Sequence, residues 1–327
     1  MLRELAKNRE PATSLALFRI ALCVCLLLNL WRVWHAGLLE ALWLDASDGG
    51  LFPLLPFHWL VQLLGGPSRE VTALLYHGTV LLACASLVGL GGGLTLLFTQ
   101  QTFTALRLQN TMVSGGYDTL ISNGLLLLAA SRSTRTLSLD CWLKRRRWTS
   151  TTLVPAWPRY LLIFQLVFTY TLTGWQKVGW SWTPMGGYWA LYYVLNDPTW
   201  TRFGSAWTPD ISWLLRAATA VAVHWEQLAP LLLLGYLAEA RRGEAWARWF
   251  PLRRIRASWV AVGVLLHLGI FGLLDVGPFS WVTLSYYIVL FAPREWQNGL
   301  TRLTRYPRTA GRLESQRRAN GCRSPHS

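Results

Sequence analysis

Eight apolar runs, most of them close to the 20 or so residues that a helix needs to cross a hydrocarbon layer, constrain this chain before any motif does. They fall at roughly 14–33, 70–90, 94–112, 117–132, 158–177, 212–236, 258–276 and 279–293. The expected fold class is therefore all-α, a polytopic transmembrane helical bundle of about eight spans with interfacial helices on its outer side. Composition agrees: 52% of residues are hydrophobic and only 14% are charged, a balance foreign to a water-soluble domain of this length. Twenty tryptophans suit the headgroup layer, where an indole keeps one edge apolar and its N–H wet.

The formal net charge is +15, yet the basic residues lie between the apolar runs, so orientation in a bilayer explains them better than nucleic acid does. Alternating eight spans puts residues 1–13, the 132–157 loop, the 237–257 loop and the 294–327 tail on one side. Counted through Arg159, these segments hold 3, 7, 6 and 8 lysines and arginines, 24 of the chain's 31. By the positive-inside rule that side is cytoplasmic, and the chain is expected in the inner (cytoplasmic) membrane with both termini inside. The N-terminal stretch lacks a small-residue cleavage site and carries Arg19 within its apolar run, so it reads as a retained first helix.

Three segments follow: a cytoplasmic 1–13, a transmembrane domain over 14–293, and a basic tail over 294–327 expected to be disordered. On the outer side, 34–69 and 178–211 are rich in Trp, Pro and Gly and read as interfacial helices and turns over the mouth of the bundle. The third run is the most polar, with Gln100, Gln101, Arg107, Gln109 and Asn110; it either faces a polar interior or is partly interfacial. Cys23, Cys25, Cys84, Cys141 and Cys322 form no CxxC pair, and no metal site is expected.

Ionisable groups within spans each call for a reason. Arg19, His77, Arg107, Asp118, Lys177, His224, Glu226, His267 and Asp275 make up that set. In "TLTGWQKVGWSW" (171–182), Lys177 has Gly174, Thr173 and Tyr170 at three, four and seven positions before it on one small, polar helix face. It is either a lysine snorkelling to an aromatic belt or a desolvated amine able to act as a base. His224, Glu226 and Gln227 within four positions favour a cavity over lipid. His267 is a lone histidine deep in an apolar run, satisfied by a carbonyl or used in chemistry. Asp118 reads as a helix cap, Asp275 as a turn residue. GxSxG, HExxH, GxxxxGK[ST] and a strand-borne GxGxxG are all absent, which removes the signatures of hydrolase, zinc peptidase, P-loop and dinucleotide chemistry.

Read in order, "LALFRIALCVCLLLNLWRVW", "GGYDTLISNGLLLLA", "YLLIFQLVFTYTLTGWQKVGWSWTPMGGYWALYYV", "HWEQLAPLLLL" and "LLHLGIFGLLDVGPFSWVTLSYYIVLFAP" resemble the HTTM domain family, which contains the membrane part of the vitamin K-dependent gamma-carboxylase and many bacterial relatives. The resemblance implies a reduced quinone as cofactor. In the carboxylase the motif after the glycine ends in two lysines, the second the base that deprotonates vitamin K hydroquinone; here those positions are Gln176 and Lys177. The family's seventh- and sixth-span histidines fall at His267 and His224, which are expected to act in catalysis by orienting the quinol or stabilising its oxyanion; Tyr170, Gly174, Trp175 and Glu226 are expected to bind it. The carboxylase carries a large extramembrane domain where this chain has a short basic tail, and "SRSTRTLSLDCW" lacks a histidine that the carboxylase has in that stretch. A bacterial relative of different specificity is therefore expected, possessing lyase or quinol epoxidase chemistry of the carboxylase kind. The alternative is a non-enzymatic membrane component for maturation or export of a secreted peptide, as in another branch of the family. Partners implied are the lipid bilayer, a small quinol, and a peptide or protein substrate.

Overall fold

A computed structural model describes residues 8–54 and 58–299. All eight apolar runs are helical: α1 Thr13–His35, α2 Arg69–Val88, α3 Gly92–Gln109, α4 Gly116–Ala130, α5 Trp157–Gln176, α6 Ser212–Gln227, α7 Pro230–Ala240, α8 Leu252–Leu273 and α9 Phe279–Leu290. The sixth run is two helices, because Pro230 has no N–H to continue the ladder, and α6 and α7 bend by 40° at the break. Among the described residues, three helices are long and apolar enough to cross a membrane on their own, four if the bent pair counts as one. The other helices do not meet that test by themselves, α3 being too polar and α9, with 12 residues, too short. Leu74, Leu81, Leu94 and Phe98 lie exposed on the outer faces of these helices, as lipid-facing residues of a multi-pass membrane protein do.

Local chemistry sets the helix ends. Ser68 Oγ accepts the Val71 N–H (3.2 Å) at the start of α2, and Asp118 accepts the Gly115 N–H (2.8 Å) at the start of α4, the capping role expected of it. α1 is the central helix, packed on α2, α4 and α9 through Phe18, Leu22 and Leu26, which are fully buried. Phe18 meets the edge of Tyr286 on α9 at 4.8 Å, and the Tyr286 hydroxyl donates to the Leu120 carbonyl (2.6 Å).

The polar residues of α3 face inward. Gln100 Nε2 donates to Thr104 Oγ1 (3.0 Å) and Ser122 Oγ (3.1 Å), Thr72 donates to Gln109 Oε1 (3.4 Å), and Asn110 Nδ2 donates to the Leu42 carbonyl (2.7 Å). At the edge of this set, Gln101 Oε1 accepts from the exposed Trp59 Nε1 (3.0 Å) of the 34–69 connection. Arg107 donates to Ser114 Oγ (3.3 Å), Arg19 to the Leu137 carbonyl (2.5 Å), and His77 Nδ1 sits 2.8 Å from the Ala73 carbonyl one turn back.

At the end of the bundle that carries the basic loops, two short strands, β1 Arg9–Pro11 and β2 Leu153–Pro155, pair antiparallel with Glu10 opposite Val154. This register delivers Glu10 to Arg159 near the start of α5, Nε to Oε1 2.7 Å. The last carbonyls of α9, which have no partner within the helix, are met here by side chains from other elements. Arg159 Nη1 reaches the Val289 carbonyl (3.1 Å), Arg256 Nη1 the Leu290 carbonyl (3.1 Å), and Trp296 Nε1 the Ile288 carbonyl (3.0 Å); the Tyr236 hydroxyl also donates to Leu290. Each guanidinium is favoured at the negative end of the helix dipole. Glu295 closes this assembly on Arg256. Residues 293–299, the start of the tail expected to be disordered, are accordingly helical; residues 1–7 and the tail beyond 299, with Cys322, lie outside the described residues.

Candidate functional site

At the opposite end, a cavity of about 540 Å³ lies between α5, α6, α8 and the start of α9. Its walls are apolar, with Leu191, Val194, Ile211, Leu215, Leu266 and Ile270 among them. The 178–211 connection forms its cover through the short helix Ala190–Asn196, which is fixed to α6 by the Leu191 N–H donating to Thr219 Oγ1 (3.2 Å). The 34–69 connection packs elsewhere, over α2 and α3, through Glu40, Leu42 and Trp43.

Against these apolar walls stand four groups with chemistry: Lys177, Glu226, Tyr170 and His267. Lys177 follows directly on the last residue of α5. Its Nζ pairs with the Glu226 carboxylate and lies 5.1 Å from the centre of the Trp182 ring, so the ammonium has an anion on one side and a π-face on another. Side-chain exposures of 20% for Lys177 and 14% for Glu226 place the pair at the cavity wall instead of in bulk water.

Gly174 makes that pair attainable. A Cβ there would come within 2.8 Å of the Gln227 nitrogen and the Glu226 Cβ, so α5 and α6 touch backbone to backbone one turn before Lys177. Gly174→Ala should cost about 1–3 kcal/mol, the range for overpacking a tight core, because backbone atoms cannot swing aside. The expected result is a lowered SDS-denaturation midpoint in detergent micelles; an unchanged midpoint would show that α5 and α6 can separate freely.

Deeper in the site, the Tyr170 hydroxyl lies 2.5 Å from His267 Nε2 and 3.1 Å from the Tyr287 hydroxyl. The ring of Tyr170 stands edge-on to Trp225 at 4.6 Å and to Trp259 at 5.1 Å, and these two indoles stack at 4.4 Å. Aromatic packing thus locks the phenol that holds the histidine. The other imidazole nitrogen, Nδ1, has no hydrogen-bond partner among the described residues, although His267 is only 2% exposed. A buried polar atom without a partner is uncommon, and here it belongs to a residue that lines a cavity.

The structure brings together Lys177, Glu226, Tyr170 and His267, with Gly174 behind them. His224 stands apart: it is exposed and its Nε2 lies 3.0 Å from the Tyr188 hydroxyl, its Nδ1 3.3 Å from Gln227 Oε1. Two positions on a helix are about 200° apart, so His224 and Glu226 occupy opposite faces of α6, and only one of them can line the cavity. Trp175 likewise points outward and is exposed. Sequence reading missed Tyr287 and Trp182. The second lies within the quoted lysine motif and could have been weighed as a partner for the ammonium; the first is 110 residues from Lys177 and carries no local signal beyond a phenol in an apolar helix, which needs a partner when buried.

Among the described residues no group of three or more His, Cys, Asp or Glu side chains could hold a metal ion. Compared with known proteins, residues 7–296 match the family model described as the HTTM domain. No curated protein and no solved structure matches.

Proposed function

The chain belongs to the HTTM domain family, and on that premise we propose that it is a quinol-dependent membrane enzyme of the carboxylase-like type, with Lys177 as its base. What carries the reading is the Lys177–Glu226 pair set into the wall of an otherwise apolar cavity. A reduced quinone fits the residues present: its ring and tail are apolar as the walls are, and its hydroxyl groups can bond to the Lys177–Glu226 pair set into the wall, with His267, whose Nδ1 is buried without a partner, lining the same cavity. The group, when bound, would supply a phenolic proton and reducing equivalents.

The chain's part is proton handling and placement. As an ion pair, Lys177 holds its proton and is no base. A ligand that fills the cavity expels water, and an ion pair deprived of water is destabilised relative to its neutral form. The proton then passes from Nζ to the Glu226 carboxylate, leaving an amine free to accept a proton from a ligand hydroxyl, with geometry set by the Gly174 contact. Tyr170 and His267 orient the ligand from below, Tyr170 held by Tyr287 and by the tryptophan pair. The apolar cover keeps solvent from quenching the site. His224, bonded to Tyr188, acts on this reading through the cover segment and not on the ligand.

The same proposal places the protein in a bacterial cytoplasmic membrane with the basic loops inside and the cavity toward the outer leaflet. Purified protein in lipid nanodiscs, supplied with reduced naphthoquinones and oxygen, should form oxidised or epoxidised product above the level of heat-inactivated protein. Absence of product across the series, with ligand binding retained, would move the reading to the non-enzymatic peptide-maturation role.

A further inference from the structure

A second recess lies outside the cavity, on the far side of the turn that joins α8 to α9. It has a volume of about 350 Å³ and is walled by α1, by the 200–202 segment and by the facing ends of α8 and α9. Two arginines stand at its mouth. Arg32 Nη2 is 3.5 Å and Arg202 Nη2 3.7 Å from the same Asp275 oxygen, both longer than the roughly 2.7–2.9 Å of a close charge-assisted bond. One carboxylate oxygen shared at that distance leaves a net positive charge and spare donors on both guanidinium groups.

Their positions are built, not incidental. The Arg202 N–H donates to the Leu273 carbonyl (3.1 Å) and the Asp275 N–H to the Trp200 carbonyl (2.7 Å). Arg202 Nε donates to the Leu274 carbonyl (3.0 Å), and its guanidinium lies 5.0 Å from the centre of the Phe271 ring, which in turn contacts Trp281 at 4.5 Å. Below Arg32, Leu28 and Cys25 follow at four and seven positions back on the same face of α1, so the wall runs apolar for about 10 Å of helix. Leu28 (48%), Trp31 (52%) and Trp281 (41%) are exposed and open this wall sideways, where lipid would lie.

We propose that the recess binds one anionic phospholipid, with its phosphate between Arg32 and Arg202 and an acyl chain along Leu28 and Trp281. Charge and shape agree on that occupant. A free phosphate would use the arginines and leave the apolar wall bare; a neutral lipid would use the wall and leave the arginines with a single shared carboxylate. Asp275 competes with the phosphate for both guanidinium groups and so tunes occupancy downward. None of these three side chains lines the Lys177 cavity, so the site stands independently of the enzymatic reading.

Native mass spectrometry of the detergent-solubilised protein tests it, with dioleoyl phosphatidylglycerol, dioleoyl phosphatidylcholine, dioleoylglycerol and inorganic phosphate as probes. A juxtamembrane arginine strengthens binding of an anionic lipid by about fivefold, so Arg32→Gln and Arg202→Gln should each weaken phosphatidylglycerol by about that factor. Asp275→Asn should strengthen it by a similar factor, and it keeps the test open if the arginine variants fail to fold. Equal retention of the three lipids by the unaltered protein would overturn the proposal. So would displacement of bound lipid by inorganic phosphate alone, or phosphatidylglycerol affinity unmoved in an arginine variant that elutes as the parent does.

Discussion

Lys177→Ala should lower turnover of a reduced quinone by about 10²–10⁴-fold, the range that a positioned general base contributes, while leaving insertion and folding close to intact. The loss is kinetic because the pair it breaks lies at a cavity wall. Glu226 keeps access to solvent through the mouth, and it can take up a proton instead of remaining an unpaired buried anion. Glu226→Gln separates the two halves of the mechanism. The amide still accepts a hydrogen bond from Nζ, so the helix contact at Gly174 persists, but it cannot receive the lysine's proton. Turnover should fall with ligand affinity little changed. Equal product yields from parent, Lys177→Ala and Glu226→Gln would rule out the catalytic assignment and leave the cavity as a binding site alone.

The largest loss of stability is expected at the other end of the molecule, from Glu10→Ala. Arg159 has 4% of its side chain exposed and Glu10 13%. Removing the carboxylate strands a buried guanidinium with one hydrogen bond, to the Val289 carbonyl, and the Tyr160 ring face at 4.7 Å. Breaking a buried pair from one side costs about 3–5 kcal/mol, whereas replacing both partners by apolar residues is often close to neutral. SDS-denaturation midpoints in micelles should therefore drop sharply for Glu10→Ala and recover in Glu10→Ala with Arg159→Met. A single variant as stable as its parent would mean that water reaches Arg159 and that the strand pair contributes little.

Helix positions were readable in the sequence because a long apolar run has few alternatives in hydrocarbon. Pro230 could have been read as the break it causes, since a proline inside a helical pattern ends or kinks the helix, but the leucines after it extend the run without a gap. Distances across the bundle were not readable at all. Nothing near Lys177 in the sequence announces Glu226, 49 positions away, as its counter-ion, and the face of α6 that would hold it was hidden by grouping His224, Glu226 and Gln227 as neighbours. Position along a helix is one coordinate; direction around it is the second, and residues two apart differ by more than half a turn of that coordinate. Gly174 shows the same limit from the other side. It was singled out for the clear face it leaves beside Lys177, and its tightest contact is with α6.

The side-chain donors gathered on the last carbonyls of α9 give the bundle one built-in end. Arg159, Arg256 and Tyr236 moor α5, α8 and α7 to α9 there, so four helices rest on one foundation. The tips of α5, α6 and α8 are where the cavity opens. The charged root and the cavity thus occupy opposite ends of shared beams and have no side chain in common.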